Sequence, residues 1–96
     1  MGTKNDRRAR RYFVWGSVQG VGYRAFAANA AHSAGVTGWA RNLDDGRVEV
    51  YAIGEPEQLS DFEGRLRQGP RFSGVRGVDA RDDTIDAGAR GFGIRH

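Results

Sequence analysis

The chain has 96 residues, 39% hydrophobic and 28% charged, with no cysteine and a formal net charge of +3. That length holds one compact domain; the missing cysteine excludes thiolate nucleophiles, disulfides and Cys-bearing zinc sites, and with no long apolar run neither a secretion signal nor a membrane span is expected, so the cytosol is the expected compartment. The charge and a pI near 9.9 allow phosphate or nucleic-acid partners, but much of the excess sits in "KNDRRARR", so residues 1–11 are expected to be a flexible basic tail before a single domain over 12–96.

"YFVW", residues 12–15, is aromatic and β-branched and stops at Gly16, which predicts a buried strand. After a glycine-rich loop, "YRAFAANAAHSAG" predicts a helix with Phe26, Ala27, Ala30, Ala31 and Ala34 on one face and Gly35 as its stop. "VTGWARN" and "RVEVYAI" read as an antiparallel pair turning at Asp45-Gly46, with Val48, Val50 and Ala52 on the side opposite Glu49, Tyr51 and Ile53. "EPEQLSDFEGRLRQGP" predicts a second helix: Pro56 suits its first turn, Glu55 and Glu57 its N-terminal dipole, and Leu59, Phe62 and Leu66 its apolar stripe. "GVRGVDAR" and "GFGIR" are candidate strands separated by a loop. The order β, α, β, β, α, β with a terminal β predicts an α+β, ferredoxin-like split βαβ sandwich (βαββαβ), with two helices on one face of a mostly antiparallel sheet.

The loop "GSVQGVGYR", residues 16–24, carries Gly16, Gly20 and Gly22 and ends at Arg24. Its simplest reading is a tight turn, since glycine accepts positive φ at little cost. However, alternate glycines leave backbone N–H groups unshielded, the loop runs into a helix N-terminus, and a permanently charged Arg24 stands at the junction, which together describe an anion cradle. "GVGYRA" also fits the dinucleotide fingerprint, but the next strand enters a hairpin at once and the chain holds only two helices, so the doubly wound context is missing. A Walker loop is excluded because the chain contains no Gly-Lys dipeptide.

Together with "GWARNLDDGRVEV", residues 38–50, the glycine loop closely resembles the two signatures of the acylphosphatase family, and the likeness extends from about Tyr12 to Arg95. The resemblance implies hydrolysis of the carboxyl-phosphate anhydride of acyl phosphates, with no metal, no cofactor and no covalent intermediate. It implies that the loop residues Ser17, Val18, Gln19, Gly20, Val21, Gly22 and Tyr23 wrap the phosphoryl group with backbone donors, that Arg24 binds its oxygens, and that Asn42 orients the attacking water. The implied partners are a small-molecule acyl phosphate and its product, inorganic phosphate; no nucleic acid or membrane partner is expected, and the protein is expected to be a monomer.

Arginine matches phosphate geometry with a planar fork of donors that stays protonated. Asparagine can accept from water through its carbonyl oxygen, and strong general-base action is not required when the leaving carboxylate is already stable. Gln19 either braces the loop or is merely exposed. Trp15 and Trp39 read as packing residues, His32 and His96 form no pair with ligand or triad spacing, and Asp44-Asp45 and Asp82-Asp83 read as turn residues. After "IR", many family members carry an aromatic residue where this sequence has His96. The alternatives to an enzyme are a ferredoxin-like nucleic-acid-binding module, which would need aromatic residues displayed on the sheet, and a noncatalytic anion-binding module.

Overall fold

The structure, a computed structural model, describes residues 6–96. The elements run β1 (Arg8–Ser17), α1 (Tyr23–Ala34), β2 (Thr37–Asn42), β3 (Val48–Gly54), α2 (Pro56–Gln68), β4 (Gly74–Asp83) and β5 (Phe92–Arg95). They build one five-stranded sheet in the order β4-β1-β3-β2-β5, antiparallel throughout except for the β2–β5 pair. This is the ferredoxin-like α+β plan, with both helices packed on one face.

The inner face of the sheet follows period-two alternation. Tyr12 and Val14 from β1, Ala40 from β2, and Val48, Val50 and Ala52 from β3 are buried against Ala27, Ala30, Ala31 and Ala34 of α1 and Leu59, Phe62 and Leu66 of α2. Each fully buried Leu or Phe contributes about 1.5–3 kcal/mol. Phe62 lies at the centre, meeting the Tyr12 ring edge-on at 5.9 Å and the Phe92 ring at 5.8 Å. α2 begins with a reciprocal cap in which the Glu55 N–H donates to Gln58 Oε1 at 2.8 Å, with Pro56 in its first turn. α1 ends at Gly35, whose N–H donates to Ala31 O at 2.8 Å.

Two boundaries differ from the sequence expectation. Residues 8–11, expected in a flexible tail, form the first part of β1 and pair with β3 on one side and, from Ala9, with β4 on the other. The remainder of the expected tail before Asp6 lies outside the described residues. The arginines are accommodated because carboxylates from distant strands meet them: Arg11 Nη1 donates to Glu49 Oε2 at 2.6 Å and Arg11 Nε to Asp83 Oδ2 at 2.6 Å. Asp82 and Asp83, expected in a turn, are for the same reason the last two residues of β4, paired with Arg10 and Ala9.

The face without helices is covered by its own side chains. Glu49 is only 5% exposed and is held by Arg11 and Arg41. Burial alone would raise its carboxyl pKa, but hydrogen bonds from Arg41 and Arg11 and their charges outweigh this and hold it below the ordinary value. Trp39 stacks on Tyr51 at 5.8 Å, and the guanidinium groups of Arg11, Arg41 and Arg95 lie over the Trp39 ring at 5.5, 5.5 and 4.4 Å. The segment 84–91 crosses this face from one sheet edge to the other: Tyr51 Oη donates to Thr84 O at 2.5 Å and accepts from the Asp86 N–H at 2.8 Å, and Gly91 O accepts from the Gly38 N–H at 2.9 Å.

Candidate functional site

At one end of the sheet, the β1–α1 loop, the last residue of β2 and the end of β5 converge on a cleft of about 370 Å³. Val18, Gly20, Gly22, Tyr23, Arg24, Ala25, Asn42, Ile94 and His96 line it. The cleft thus brings Arg24 and Asn42 together, although 18 positions separate them in the chain (42 − 24). Ser17, Gln19 and Val21 stand outside the lining; Ser17 remains in β1 as the register partner of Gly74.

The loop is anchored at both ends and in its middle. Val18 is buried in the helix-side core, and Tyr23 is buried with its hydroxyl donating to Leu66 O at 2.7 Å. Burial raises the Tyr23 phenol pKa well above its ordinary value, and this side chain points into the protein as an anchor. Between them, Gln19 Nε2 donates to Leu43 O at 2.8 Å and Arg47 O at 2.9 Å, tying the loop to the β2–β3 hairpin that carries Asn42. The hairpin has its own clasp, the Leu43 N–H donating to Arg47 O at 2.8 Å.

Gly20 and Gly22 have φ of 79° and 77°, and a Cβ at either would meet no atom within 4 Å. Glycine therefore serves the left-handed backbone conformation here rather than a shortage of space. The result is a stretch of main chain with its donors uncovered: among the described residues, the N–H groups of Gln19 through Ala25 find no protein acceptor of good geometry. They stand where α1 begins, so the positive end of the helix dipole adds to them.

Arg24 is half-buried, and its Nη1 donates to Arg95 O at 3.0 Å and lies 3.3 Å from His96 Nδ1. Asn42 closes β2 opposite Val48. Cationic fork, oriented amide donors and a side-chain amide can together hold a tetrahedral anion and a water molecule beside it. Ile94 and His96 were missed as site residues by sequence reasoning, which noted His96 as unpaired with His32 and as standing in place of the family's terminal aromatic; the parallel β2–β5 pairing brings that end of the chain beside Arg24. No local sequence signal announces such a long-range parallel contact. Among the described residues, no three His, Cys, Asp or Glu side chains gather where they could hold a metal ion, and no helix is long and apolar enough to cross a membrane.

Comparison with known proteins gives this geometry a context. The family model described as acylphosphatase matches residues 10–94. An acylphosphatase of Solibacter usitatus is 60% identical over 77 residues, covering 80% of each chain, and one of Thermus thermophilus is 49% identical over 81 residues, covering 84% of this chain and 91% of its own. Among solved structures, the crystal structure of acylphosphatase from Bacillus subtilis superposes with a TM-score of 0.87 at 35% identity, covering 92% of this chain and 98% of that one.

Proposed function

The chain belongs to the acylphosphatase family and is an acylphosphatase, a hydrolase of acyl phosphates; we propose that Arg24 and the Gly16–Arg24 loop hold the phosphoryl group while Asn42 orients the water that attacks it. The observation that carries this reading is the convergence of Arg24, Asn42 and the unpaired loop amides on one cleft.

The chemistry follows from these groups. Phosphoryl transfer to water spreads negative charge over the equatorial oxygens, so stabilising that charge and aligning the nucleophile are the main tasks. The Arg24 fork and the loop N–H groups meet the oxygens; Asn42 accepts a hydrogen bond from water through its side-chain carbonyl oxygen. The water oxygen forms a bond to phosphorus as the bond from phosphorus to the acyl oxygen breaks, and the electron pair leaves with the carboxylate. The proton lost by water ends on the released phosphate or in solvent, so no strongly basic side chain is required.

The reading is of a cytosolic monomer that uses no cofactor, acts on a small-molecule acyl phosphate, releases inorganic phosphate and has no nucleic-acid partner. Its test is hydrolysis of benzoyl phosphate with and without a chelator. Turnover is expected to persist without divalent metal and to fall by about 100-fold or more in Arg24→Ala and in Asn42→Ala. Turnover near the wild-type rate in either variant would sink the assignment of that residue.

A further inference from the structure

The contact between Arg24 and His96 is chemically one-sided. A guanidinium has only N–H donors, so a separation of 3.3 Å between Arg24 Nη1 and His96 Nδ1 is favourable only when Nδ1 is bare and accepts. The imidazole is then neutral, with its proton on Nε2. In that state the end of β5 supplies two acceptors for Arg24, the Arg95 carbonyl and the His96 ring.

We propose that His96 is a second, proton-dependent ligand of the phosphoryl group: neutral, it accepts from Arg24; protonated, it turns donor and joins Arg24 in holding the anion. This rests on the reading that Arg24 binds the phosphoryl oxygens. Both side chains line the same cleft, and the neighbouring side chains offer the charged ring no carboxylate. From α1, Arg24 faces the ring as a cation and Tyr23 turns its hydroxyl away to Leu66 O. From β2, Asn42 is uncharged and Arg41 is engaged by Glu49 on the opposite sheet face. In β5 itself, Arg95 lies over Trp39 on that opposite face. The β1–α1 loop brings amides and no carboxylate.

A protonated His96 would therefore face Arg24 as cation against cation, and a dianion between them would convert that repulsion into two attractions. Proton uptake and anion binding are then linked, and each strengthens the other by the same factor. Histidine is the side chain that changes charge between about pH 5 and 8, so the linkage falls within an accessible range.

Sulfate is the suitable probe because it stays a dianion across that range and does not react. Its inhibition constant against benzoyl phosphate hydrolysis should fall by about 5- to 10-fold between about pH 8 and pH 5.5 in the wild type. The dependence should be absent in His96→Gln, whose amide can still accept from Arg24 but cannot gain a charge. Proton NMR gives an independent readout: sulfate should move the titration midpoint of the His96 ring to higher pH and leave that of the exposed His32 ring in place. Equal pH dependence in wild type and His96→Gln, or a His96 titration indifferent to sulfate, would overturn the proposal. Arg24→Ala separates the two levels of inference. Sulfate inhibition untouched by that substitution refutes the anion cradle and His96 with it, whereas inhibition that requires Arg24 but ignores pH refutes His96 alone.

Discussion

Gln19 offers the sharpest test of how the site is held. Its Nε2 donates to Leu43 O at 2.8 Å and Arg47 O at 2.9 Å, the direct side-chain tie between the glycine loop and the hairpin that carries Asn42. Each bond is worth about 0.5–1.5 kcal/mol net, so removing both costs about 1–3 kcal/mol, with the exposure of the side chain favouring the lower half. The loop is anchored in the core at Val18 and Tyr23, so the loss should fall on the position of the loop rather than on the fold. At about 1.4 kcal/mol per tenfold, Gln19→Met should lower kcat/KM by about 5- to 30-fold while lowering the thermal midpoint by no more than about 4–16 °C. Gln19→Glu is the stronger perturbation, because a carboxylate has no donor and would face two carbonyl oxygens while adding negative charge beside the proposed anion site. Steady-state hydrolysis of benzoyl phosphate should therefore rank wild type above Met and Met above Glu. A Met variant within twofold of wild type would show that these bonds do not position the site, and a Glu variant equal to Met would refute the polarity argument.

Two further outcomes follow from charge and backbone. The Glu49 carboxyl is held below its ordinary pKa, so the stability it contributes is present above the unfolded value of about 4.5 and is lost as pH falls through the folded value; urea unfolding between pH 7 and pH 3 should show a steep loss below about pH 4.5 that is shallower in Glu49→Gln. Gly22→Ala should still fold, because the added methyl meets no atom within 4 Å, and chemical denaturation should show a loss of about 1–2 kcal/mol from holding alanine in the left-handed conformation; a loss above about 4 kcal/mol would mean that space, not backbone, dictates glycine there.

Both helices, the hairpin and the glycine loop were legible because their signals are local. The alanine face of α1, the Leu59, Phe62, Leu66 stripe of α2 and the Asp45-Gly46 turn each lie within a window of a few residues. The start of β1 was not legible, since Arg10 and Arg11 read as tail until Glu49, Asp82 and Asp83 are placed beside them. The alternation of β3 separated Val48, Val50 and Ala52 from Glu49, Tyr51 and Ile53 but did not tell what covers the second set, which is buried on the outer face by arginine stems, aromatic rings and the crossing segment. In the site, the glycine loop and Asn42 could be picked out from their motifs; the acceptors at Arg95 and His96 could not, because a parallel strand pair has no turn to announce it.

The segment that crosses the open face joins β4, at one edge of the sheet, to β5 at the other. It acts as a girth strap whose far end is part of the candidate cleft, since residues 92–96 include the carbonyl and ring that hold Arg24. Cutting the chain within the strap would leave a short piece that keys into the larger one through Phe92 against Phe62 and through its ladder with β2. The protein is in that sense divisible into a nearly complete body and a small detachable key, and the holding of Arg24 would report whether the key is in place.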